Sequence, residues 1–425
     1  MKEGNMRNIL MKIGKGVLIS FYYLCTKVCK IKKDIIIFES NVGRNYSGNP
    51  KAIYEEMVKR GLDRKYQCYY ILEDTDIELP GSIRKVKRNR LQYFYIMAVA
   101  KVWVSDSRLP RYIVKRNGVK YIQTWHGTPL KKLALDMDDV VMSGETTIEN
   151  YKRLFYENTR TWDYLISQNH FSTKVFRRAF AFEKTMLEIG YPRNDILIND
   201  NNEKYILALK EKLGLPLDKK IILYAPTWRD NEFYGNGQYK FRPKLDFKMA
   251  REQLQKDYVM IVKYHYLIMD NIDWSGYEDF IYAFDSSYDI SDLYLVSDSL
   301  ITDYSSVMFD YSLLKRPMFF YTYDLENYKN NLRGFYFDFI SEAPGPISLT
   351  TKELLGDIIE YNPSKYKDKY NDFIEKYNHL DDGCASSKVV ELIERLIEDT
   401  VIELDKNAVT DLAEEYFKEG GEKKK

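Results

Sequence analysis

The stretch DIIIFESNVGRNYSGNP, residues 34–50, contains the unit from which the fold is built. Its apolar run, Ile35–Glu39, has the length and composition of a buried β-strand. A polar loop follows, and Asn49 and Pro50 then indicate a helix start, because asparagine caps free backbone N–H groups and proline suits the first helical turn. Strand, loop and helix in this order predict βαβ units and a mostly parallel sheet.

The same alternation of short apolar runs and helix-length spacers continues in two series. Further strand candidates of the first series are residues 66–72, 83–86, 102–105, 121–124 and 164–167. The pattern pauses at GYPRND, residues 190–195, and a charged helix is predicted at 202–213. The second series has strand candidates at 221–225, 259–263, 279–283, 299–302 and 318–322, and helices are predicted at 351–361, 365–378 and 386–399.

Two doubly wound α/β domains of the Rossmann type are therefore predicted, with a central cleft between them. A chain of 425 residues is long for a single hydrophobic core, which agrees with this division. We place the N-terminal domain at 34–195, the C-terminal domain at 196–400 and a C-terminal tail at 401–425. Such folds bind ligands at the carboxyl ends of their strands, so loops that directly follow strands are the candidate sites.

Residues 1–33 differ in charge from the rest of the chain. They carry eight Lys or Arg and one Glu, a net charge of +7 in a chain whose total is +1. Between Lys15 and Lys27 lie eleven mostly apolar residues, GVLISFYYLCT, too few to cross a bilayer that needs about 20. A basic amphipathic helix on an anionic membrane surface explains both features. A signal peptide and a helix docked on the protein's own surface are the alternatives.

The cysteines and carboxylates suggest no metal centre. Cys25, Cys29, Cys68 and Cys384 show neither disulfide nor metal-ligand spacing, and they are interpreted as reduced thiols of a cytoplasmic protein. No carboxylates cluster with metal-ligand spacing, so no catalytic metal is required.

The loop in YIQTWHGTPLKK, residues 121–132, is the strongest candidate site of the first domain. His126 follows a predicted strand directly, and Gly127 lets the backbone turn close to a ligand. Thr128 and Pro129 are predicted to begin a helix whose free N–H groups, with two lysines, favour an anion. A histidine beside an anion site is a candidate general base. A histidine that only closes the strand end is the alternative.

Three loops of the second domain have comparable positions. IVKYHYL ends a strand at Lys263 and His265, so each domain contributes one strand-end histidine to the cleft. APTWRD contains Arg229, which suits bidentate phosphate contact unless it is an ordinary surface arginine. DYSS places two hydroxyl groups, those of Ser305 and Ser306, where a helix begins, which favours phosphate binding or simple capping.

Two more residues complete the candidate set. Asp310 lies near the same helical face as Ser305 and is predicted to accept a hydrogen bond from a sugar or glycerol hydroxyl. Arg193, in GYPRND, lies at the domain junction and could reach either side.

Together, HGTPLK, GYPRND, APTWRD, KYH and ITDYSSVMFDY resemble the CDP-glycerol glycerophosphotransferase family, in order from about residue 35 to 339. That family builds teichoic acids and related polymers at the cytoplasmic face of Gram-positive membranes. The resemblance implies a GT-B-like fold of two Rossmann-type domains and a peripheral membrane enzyme.

The resemblance also implies roles for individual residues. His126 is the base that deprotonates the acceptor hydroxyl, and His265 neutralises charge as CMP leaves. Implied substrate contacts come from His126, Gly127, Thr128, Pro129, Leu130, Arg193, Pro226, Thr227, Trp228, Arg229, Lys263, Tyr264, His265, Ser305, Ser306 and Asp310. One departure concerns Tyr266, which stands where the family often has proline, and it leaves the shape of that loop undetermined.

The implied reaction is attack of an acceptor hydroxyl on the glycerol-linked phosphorus of CDP-glycerol, which releases CMP and forms a phosphodiester. The implied partners are a lipid-linked saccharide or polymer acceptor and an anionic membrane surface, with no nucleic acid. A Mg²⁺ ion carried by the diphosphate and a homo-oligomer both stay open. The alternatives are a CDP-ribitol enzyme with the same loops, a GT-B glycosyltransferase using a nucleotide sugar, and a catalytically inactive membrane scaffold.

Overall fold

Two parallel β-sheets form the framework of the molecule, which confirms the predicted α/β fold. A computed structural model of the protein describes residues 2–139, 147–227, 233–235, 238–239, 244–263, 273–325 and 334–399. Trp228, Arg229, Tyr264, His265 and the predicted tail at 401–425 lie outside these ranges.

The N-terminal sheet has seven strands in the order β3-β2-β1-β4-β5-β6-β7, and every pairing is parallel. The strands are β1 (Lys32–Glu39), β2 (Gln67–Leu72), β3 (Arg84–Lys87), β4 (Ala100–Ser105), β5 (Lys120–Gln123), β6 (Tyr164–Ser167) and β7 (Thr185–Glu188). In the central strand β1, residues 35–39 are all buried, because helices cover both faces of the sheet. Strand β7 was not predicted: it is a half-buried edge strand without a continuous apolar run.

The C-terminal sheet has six parallel strands in the order β12-β11-β8-β13-β14-β15. They are β8 (Lys220–Ala225), β11 (Tyr258–Lys263), β12 (Ile281–Phe284), β13 (Ser299–Thr302), β14 (Met318–Tyr321) and β15 (Ile347–Ser348), and a separate hairpin pairs β9 (Phe233–Gly235) with β10 (Gln238–Tyr239). Each sheet starts in its centre, grows to one side and then crosses to the other, which is the Rossmann order.

Helices connect the strands and cover both sheets. They are α1 (Lys2–Val28), α2 (Gly48–Lys59), α3 (Leu62–Lys65), α4 (Leu91–Val99), α5 (Ile148–Thr159), α6 (His170–Ala179), α7 (Asp195–Asn199), α8 (Glu203–Lys212), α9 (Phe247–Leu254), α10 (Ile290–Val296), α11 (Val307–Tyr311), α12 (Phe339–Glu342), α13 (Thr351–Ile359), α14 (Lys367–Tyr377) and α15 (Ala385–Ile397). Short 3₁₀ turns lie at Asn41–Gly43, Ala134–Asp136, Pro192–Asn194, Ser312–Leu314 and Pro363–Lys365.

The last helix differs in placement from the predicted domain 196–400. Val389, Val390 and Ile393 of α15 are buried in the core that also contains Ile36 and Tyr54 of the N-terminal sheet and α2. The chain therefore crosses back after α14 and covers the first sheet with its last helix. Periodicity identifies such a helix as amphipathic, but it does not say which sheet receives the apolar face.

Helix α1 contacts the N-terminal domain along one side. Tyr22 is fully buried, its ring lies 6.3 Å from that of Phe94, and its hydroxyl donates to the Val114 carbonyl at 2.6 Å. The opposite side carries an exposed apolar stripe, defined as Ile13, Val17, Leu24 and Val28. No helix among the described residues is long and apolar enough to cross a membrane.

Candidate functional site

A cleft of about 560 Å³ lies between the carboxyl ends of the two sheets. The predicted site residues that line it are Gly127, Thr128, Pro129, Leu130, Arg193, Pro226, Thr227, Lys263, Ser305, Ser306, Asp310 and His126. Loops far apart in the sequence thus meet at one place, because parallel strands end at the same edge of their sheet.

His126 is held by its neighbours in one orientation. The chain leaves β5 through Trp125, whose φ of +52° is unusual for a bulky residue, and the two rings stack at 4.4 Å. The Nδ1 atom of His126 lies 3.1 Å from the Asp106 carbonyl oxygen, and a carbonyl can only accept, so Nδ1 carries the proton in the neutral ring. Nε2 is then the atom with a free lone pair.

The surroundings of His126 favour its neutral form. Burial lowers the pKa of the ring below 6.5, and the charges of Arg193 and Arg108 lower it further, while Asp106 opposes them. The residue is exposed to the cleft, but the surrounding protein atoms replace part of the solvent that would stabilise a cation. Burial raises the pKa of the Asp106 carboxyl, and His126 opposes that shift. A neutral imidazole near neutral pH can accept a proton.

Gly127 lies close to Ser306 on the opposite wall of the cleft. A Cβ atom at this position would lie 2.9 Å from Oγ and 3.2 Å from Cβ of Ser306. Real Cβ atoms essentially never lie within 3.0 Å of another atom, so a side chain at this position would require Ser306 to shift. From the sequence, Gly127 was expected to let the backbone turn. The structure adds a second reason for glycine here, which is the closeness of Ser306 in the other domain.

Arg193 connects both walls. Its guanidinium donates to the His126 carbonyl oxygen at 2.8 Å and pairs with the Asp310 carboxylate, to which Asn194 also donates at 3.2 Å. Burial raises the pKa of Asp310, and Arg193 is the largest opposing influence. Asp310 was predicted to accept from a sugar or glycerol hydroxyl, but its side chain is only 2% exposed and both oxygens are occupied by protein donors.

The predicted helix at Thr128 and Pro129 is wrong. Residues 128–133 contain no helix and lead into the short turn Ala134–Asp136. Lys131 instead forms an antiparallel bridge with Phe335, and the Leu130 carbonyl accepts the Tyr336 N–H at 3.0 Å. A distant segment satisfies the backbone groups that a helix would have used, which local sequence cannot reveal.

The hydroxyl group of Thr128 is also engaged within the protein. It donates to Gln168 Oε1 and accepts from Ser172 Oγ at 3.3 Å, and the residue is buried. Thr128 therefore holds the loop against helix α6, whereas its neighbour His126 faces the cleft.

Lys263 and the two serines lie on the C-terminal wall. The Lys263 ammonium ends β11, donates to the carbonyls of Asp285 and Tyr288, and has its pKa lowered to about 8 by burial. Ser306 precedes α11 and makes no capping hydrogen bond, and Ser305 Oγ accepts the Val307 N–H only at 3.4 Å. This wall therefore presents a cation and two weakly engaged serines.

The polar segment 41–49, which runs from the end of β1 into the first turn of α2, belongs to the site although sequence reasoning did not select it. Asn41, Asn45 and Asn49 line the cleft, and Asn45 donates to the Ser286 carbonyl of the opposite domain at 2.9 Å. Asn49 was predicted as a helix cap. Its amide instead donates to the carbonyls of Thr124 and Trp125, at 3.2 and 3.1 Å. The available signal was the run of polar residues directly after a strand.

A second missed contact joins the domains beside the cleft. Lys51 of α2 pairs with Asp289 at 2.9 Å, and both side chains are largely buried. Metal-ligand clusters are absent from the part of the chain that the structure describes. All four cysteines are free thiols.

Two Rossmann-type domains that face each other across one polar cleft define a GT-B-like transferase. The profile of the family described as CDP-Glycerol:Poly(glycerophosphate) glycerophosphotransferase matches residues 21–395. The chain therefore belongs to this family, as the five motifs predicted, and it is an enzyme of that class.

Known relatives agree with this assignment. The chain is 45% identical over 388 residues to a teichoic acid poly(glycerol phosphate) polymerase of Bacillus spizizenii, covering 90% of this chain and 98% of the relative. It is 48% identical to the polymerase of the same description from Bacillus subtilis, over 85% of this chain but only 49% of that protein.

A solved structure of a teichoic acid polymerase is also similar to this chain. A histidine-to-asparagine variant of the wall teichoic acid polymerase TagF, soaked with CDPG, matches with a TM-score of 0.85 and 43% identity over 94% of this chain and 97% of that one. A teichoic acid poly(ribitol-phosphate) polymerase of Bacillus spizizenii is more distant, at 30% identity over 88% of this chain and 58% of the relative.

Proposed function

We propose that the protein transfers glycerol phosphate from CDP-glycerol to a hydroxyl of a growing poly(glycerol phosphate) chain in teichoic acid synthesis. The observation that carries the proposal is the orientation of His126, whose Nδ1 faces a backbone carbonyl and whose pKa lies below its usual value. An imidazole prepared in this way accepts a proton through Nε2.

The proposed step is a substitution at phosphorus. The acceptor oxygen attacks the phosphorus that bears the glycerol, its proton moves to Nε2 of His126, and a new phosphodiester bond forms. The bond from that phosphorus to the oxygen of CMP breaks, and CMP leaves with the electron pair. Such reactions need positioning and charge stabilisation more than covalent help from the protein.

The C-terminal wall is suited to the diphosphate. The Lys263 ammonium and the serines at 305 and 306 line the same cleft as His126. We assign Lys263 to the charge of the diphosphate and the serines to hydrogen bonds with its oxygens. The roles of His265, Trp228 and Arg229 stay predictions, because these residues lie outside the described ranges.

The choice of glycerol over ribitol rests on the relatives. Glycerol-phosphate polymerases match at 44 to 48% identity, whereas a ribitol-phosphate polymerase matches at 30%. The TagF variant was soaked with CDPG, which supports the same donor.

Two measurements test the proposal: the release of CMP and the size of the product. Both use purified protein and a lipid-linked acceptor, with either CDP-glycerol or CDP-ribitol as the donor. CMP release and longer products with CDP-glycerol are expected, and activity with CDP-ribitol alone would overturn the donor assignment.

The proposed acceptor implies that the enzyme works at a membrane surface. An acceptor that carries a lipid anchor would lie at a membrane surface, and we therefore place the protein peripherally on the cytoplasmic face. The apolar stripe of α1 supports this, because Val17 and Leu24 are 62% and 57% exposed on a helix whose Lys12 and Lys27 are also exposed. Apolar burial and lysine attraction together are typical of interfacial helices.

Sedimentation with vesicles tests the membrane contact. We expect the double variant Val17→Asp, Leu24→Asp to bind phosphatidylglycerol-containing vesicles at least about tenfold more weakly, since each side chain loses its burial in the bilayer. The matched control is Leu217→Asp, an exposed leucine of the C-terminal domain that is 51% accessible. Equal binding of the double variant and the control would contradict the membrane role of the stripe.

A further inference from the structure

The two domains contain the same structural device at the point where their sheets change direction. In the first sheet this point lies between β1 and β4, and the Asp106 carboxylate accepts the Asn41 N–H across it at 2.7 Å. In the second sheet it lies between β8 and β13, and the Asp303 carboxylate accepts the Thr227 N–H at 2.8 Å. Each aspartate directly follows its strand, and each N–H belongs to the second residue after the preceding strand.

This correspondence pairs residues of the two domains by position. The second residue after the bridging aspartate is Ser305 in the C-terminal domain and Arg108 in the N-terminal domain. Ligands of doubly wound sheets bind at the change of direction. If Ser305 faces the phosphate of one substrate, Arg108 occupies the equivalent position for the other.

Arg108 is held ready for a ligand. Its guanidinium carbon lies 4.6 Å above the ring of Phe155 and 5.7 Å from the ring of Tyr151, both buried residues of α5. Among the described residues, no carboxylate pairs with Arg108, and the side chain is exposed. Stacking on a ring leaves the edge of a guanidinium, with its N–H donors, directed outward.

The backbone that carries Arg108 is fixed as well. The Ser107 carbonyl accepts from the hydroxyl of Tyr121 at 2.9 Å and from the amide of Gln123 at 3.1 Å. The Leu109 carbonyl accepts from Asn158 at 2.9 Å. A cation on a rigid loop loses little conformational entropy when it binds an anion.

A continuous set of aromatic contacts connects Arg108 to the proposed base. Phe155, which supports Arg108, lies 6.4 Å from Trp125, and Trp125 stacks on His126 at 4.4 Å. The charge of Arg108 is also one of those that lower the pKa of His126. Arg108 therefore lies near His126, directly after the cleft residue Ser107, and in the opposite domain from Lys263 and the serines.

We propose that Arg108 binds the terminal phosphodiester of the acceptor, so that the enzyme selects acceptors that already carry glycerol phosphate. This inference rests on the proposed function. An acceptor whose terminal hydroxyl reaches His126 carries its nearest phosphate three carbons away, further along the N-terminal wall. A guanidinium whose donors have no carboxylate partner among the described residues suits such an anion, because it forms paired, charge-assisted hydrogen bonds.

The test compares two acceptors that differ only in charge. One carries a natural phosphodiester next to the terminal glycerol, and the other carries a neutral methylphosphonate at the same place. We measure KM for both acceptors with wild type and with Arg108→Gln. For wild type, KM for the neutral acceptor is expected to be about ten times KM for the charged acceptor, because one charge-assisted hydrogen bond is lost. For Arg108→Gln the two KM values should be nearly equal.

Controls separate this inference from the proposed function. Arg111→Gln changes a neighbouring exposed arginine that pairs with Glu157 at 3.1 Å, and it should keep the wild-type ratio. Arg108→Lys keeps the charge but loses the planar guanidinium, so an intermediate KM ratio is expected. If Arg108→Gln fails to fold, the KM ratio of Arg108→Lys tests the subsite instead. A wild-type ratio in either Arg108 variant would refute the subsite. Absence of CMP release by wild type with CDP-glycerol would instead refute the proposed function.

Discussion

The two points where the sheets change direction share a backbone design but carry different side chains. At both, an aspartate joins two strand ends by accepting an N–H, from Asn41 to Asp106 and from Thr227 to Asp303. The N-terminal point then presents Arg108 and, in the loop after β5, His126, whereas the C-terminal point presents serines. The fold therefore supplies the same loop geometry twice, while function depends on the side chains that each loop carries.

The two walls also differ in how firmly they hold their functional groups. On the N-terminal wall, Trp125, Asp106 and Arg193 all contact His126 or its backbone. On the C-terminal wall, Ser306 has no capping bond. A base must be oriented before the reaction, whereas donors to a diphosphate can adjust when the ligand arrives, so the contrast agrees with the proposed division of labour.

Breaking the link between the walls should have the largest effect. Arg193→Gln removes the partner of the buried Asp310 carboxylate, so we expect the free energy of unfolding to fall by about 3 to 5 kcal/mol. Urea denaturation measures this loss. The control Arg153→Gln breaks an exposed pair with Glu157 and should cost less than about 1 kcal/mol. Similar costs for the two variants would show that the walls are not joined through this pair.

Removing the proposed base tests the N-terminal wall alone. His126→Ala should lower kcat by about 10²-fold or more, because general bases contribute at least that factor, while the protein stays folded. His170→Ala is the matched control, since this histidine begins α6 and its side chain, 44% exposed, lies 3.6 Å from the Glu188 carboxylate. Steady-state assays of CMP release compare them. Full activity of His126→Ala would favour the alternative of a strand-end histidine without a catalytic role.

The pH dependence of kcat/KM separates the contributions of the two walls. His126 must be neutral, so activity falls as pH decreases through its pKa, which lies below 6.5. Lys263 must be charged, so activity falls again as pH rises through its pKa of about 8. A profile with two limbs in these ranges is expected for the free enzyme. An acid limb above 6.5 would contradict the environment described for His126.

Substitutions of the two equivalent aspartates, Asp106 and Asp303, test the origin of the acid limb of the pH profile. The Asp106 charge raises the pKa of His126, so Asp106→Asn should move the acid limb to lower pH. Asp303→Asn makes the equivalent change at the other point and should leave that limb in place. A shift of equal size in both variants would mean that the effect comes from loop geometry and not from the charge beside His126.

Most strands were predictable because buried parallel strands are short continuous apolar runs. Ser299–Thr302 and Tyr164–Ser167 match their predicted bounds, and β7 was missed because half-burial removes that signal. The candidate residues of the cleft were predictable for a related reason, since each directly follows a strand. His126 and Lys263, more than a hundred residues apart, meet in one cavity on this basis.

Other features depend on contacts between distant segments. The pairing of Lys131 with Phe335 replaced the helix predicted at Thr128, and the ion pair with Arg193 occupies the Asp310 carboxylate. Arg108 follows a strand, as the other candidates do, but nothing in its neighbours Ser107 and Leu109 indicates a ligand. Its stacking on Phe155 belongs to the tertiary structure.

The two-domain α/β fold, the family and the strand-end positions of the site follow from the amino-acid sequence, because apolar periodicity and loop motifs are local properties. Contacts in the folded chain decide which side chains remain available to a ligand and which are used within the protein. That decision depends on hydrogen bonds and burial between segments far apart in the chain, as in the engagement of Asp310 and the exposure of Arg108.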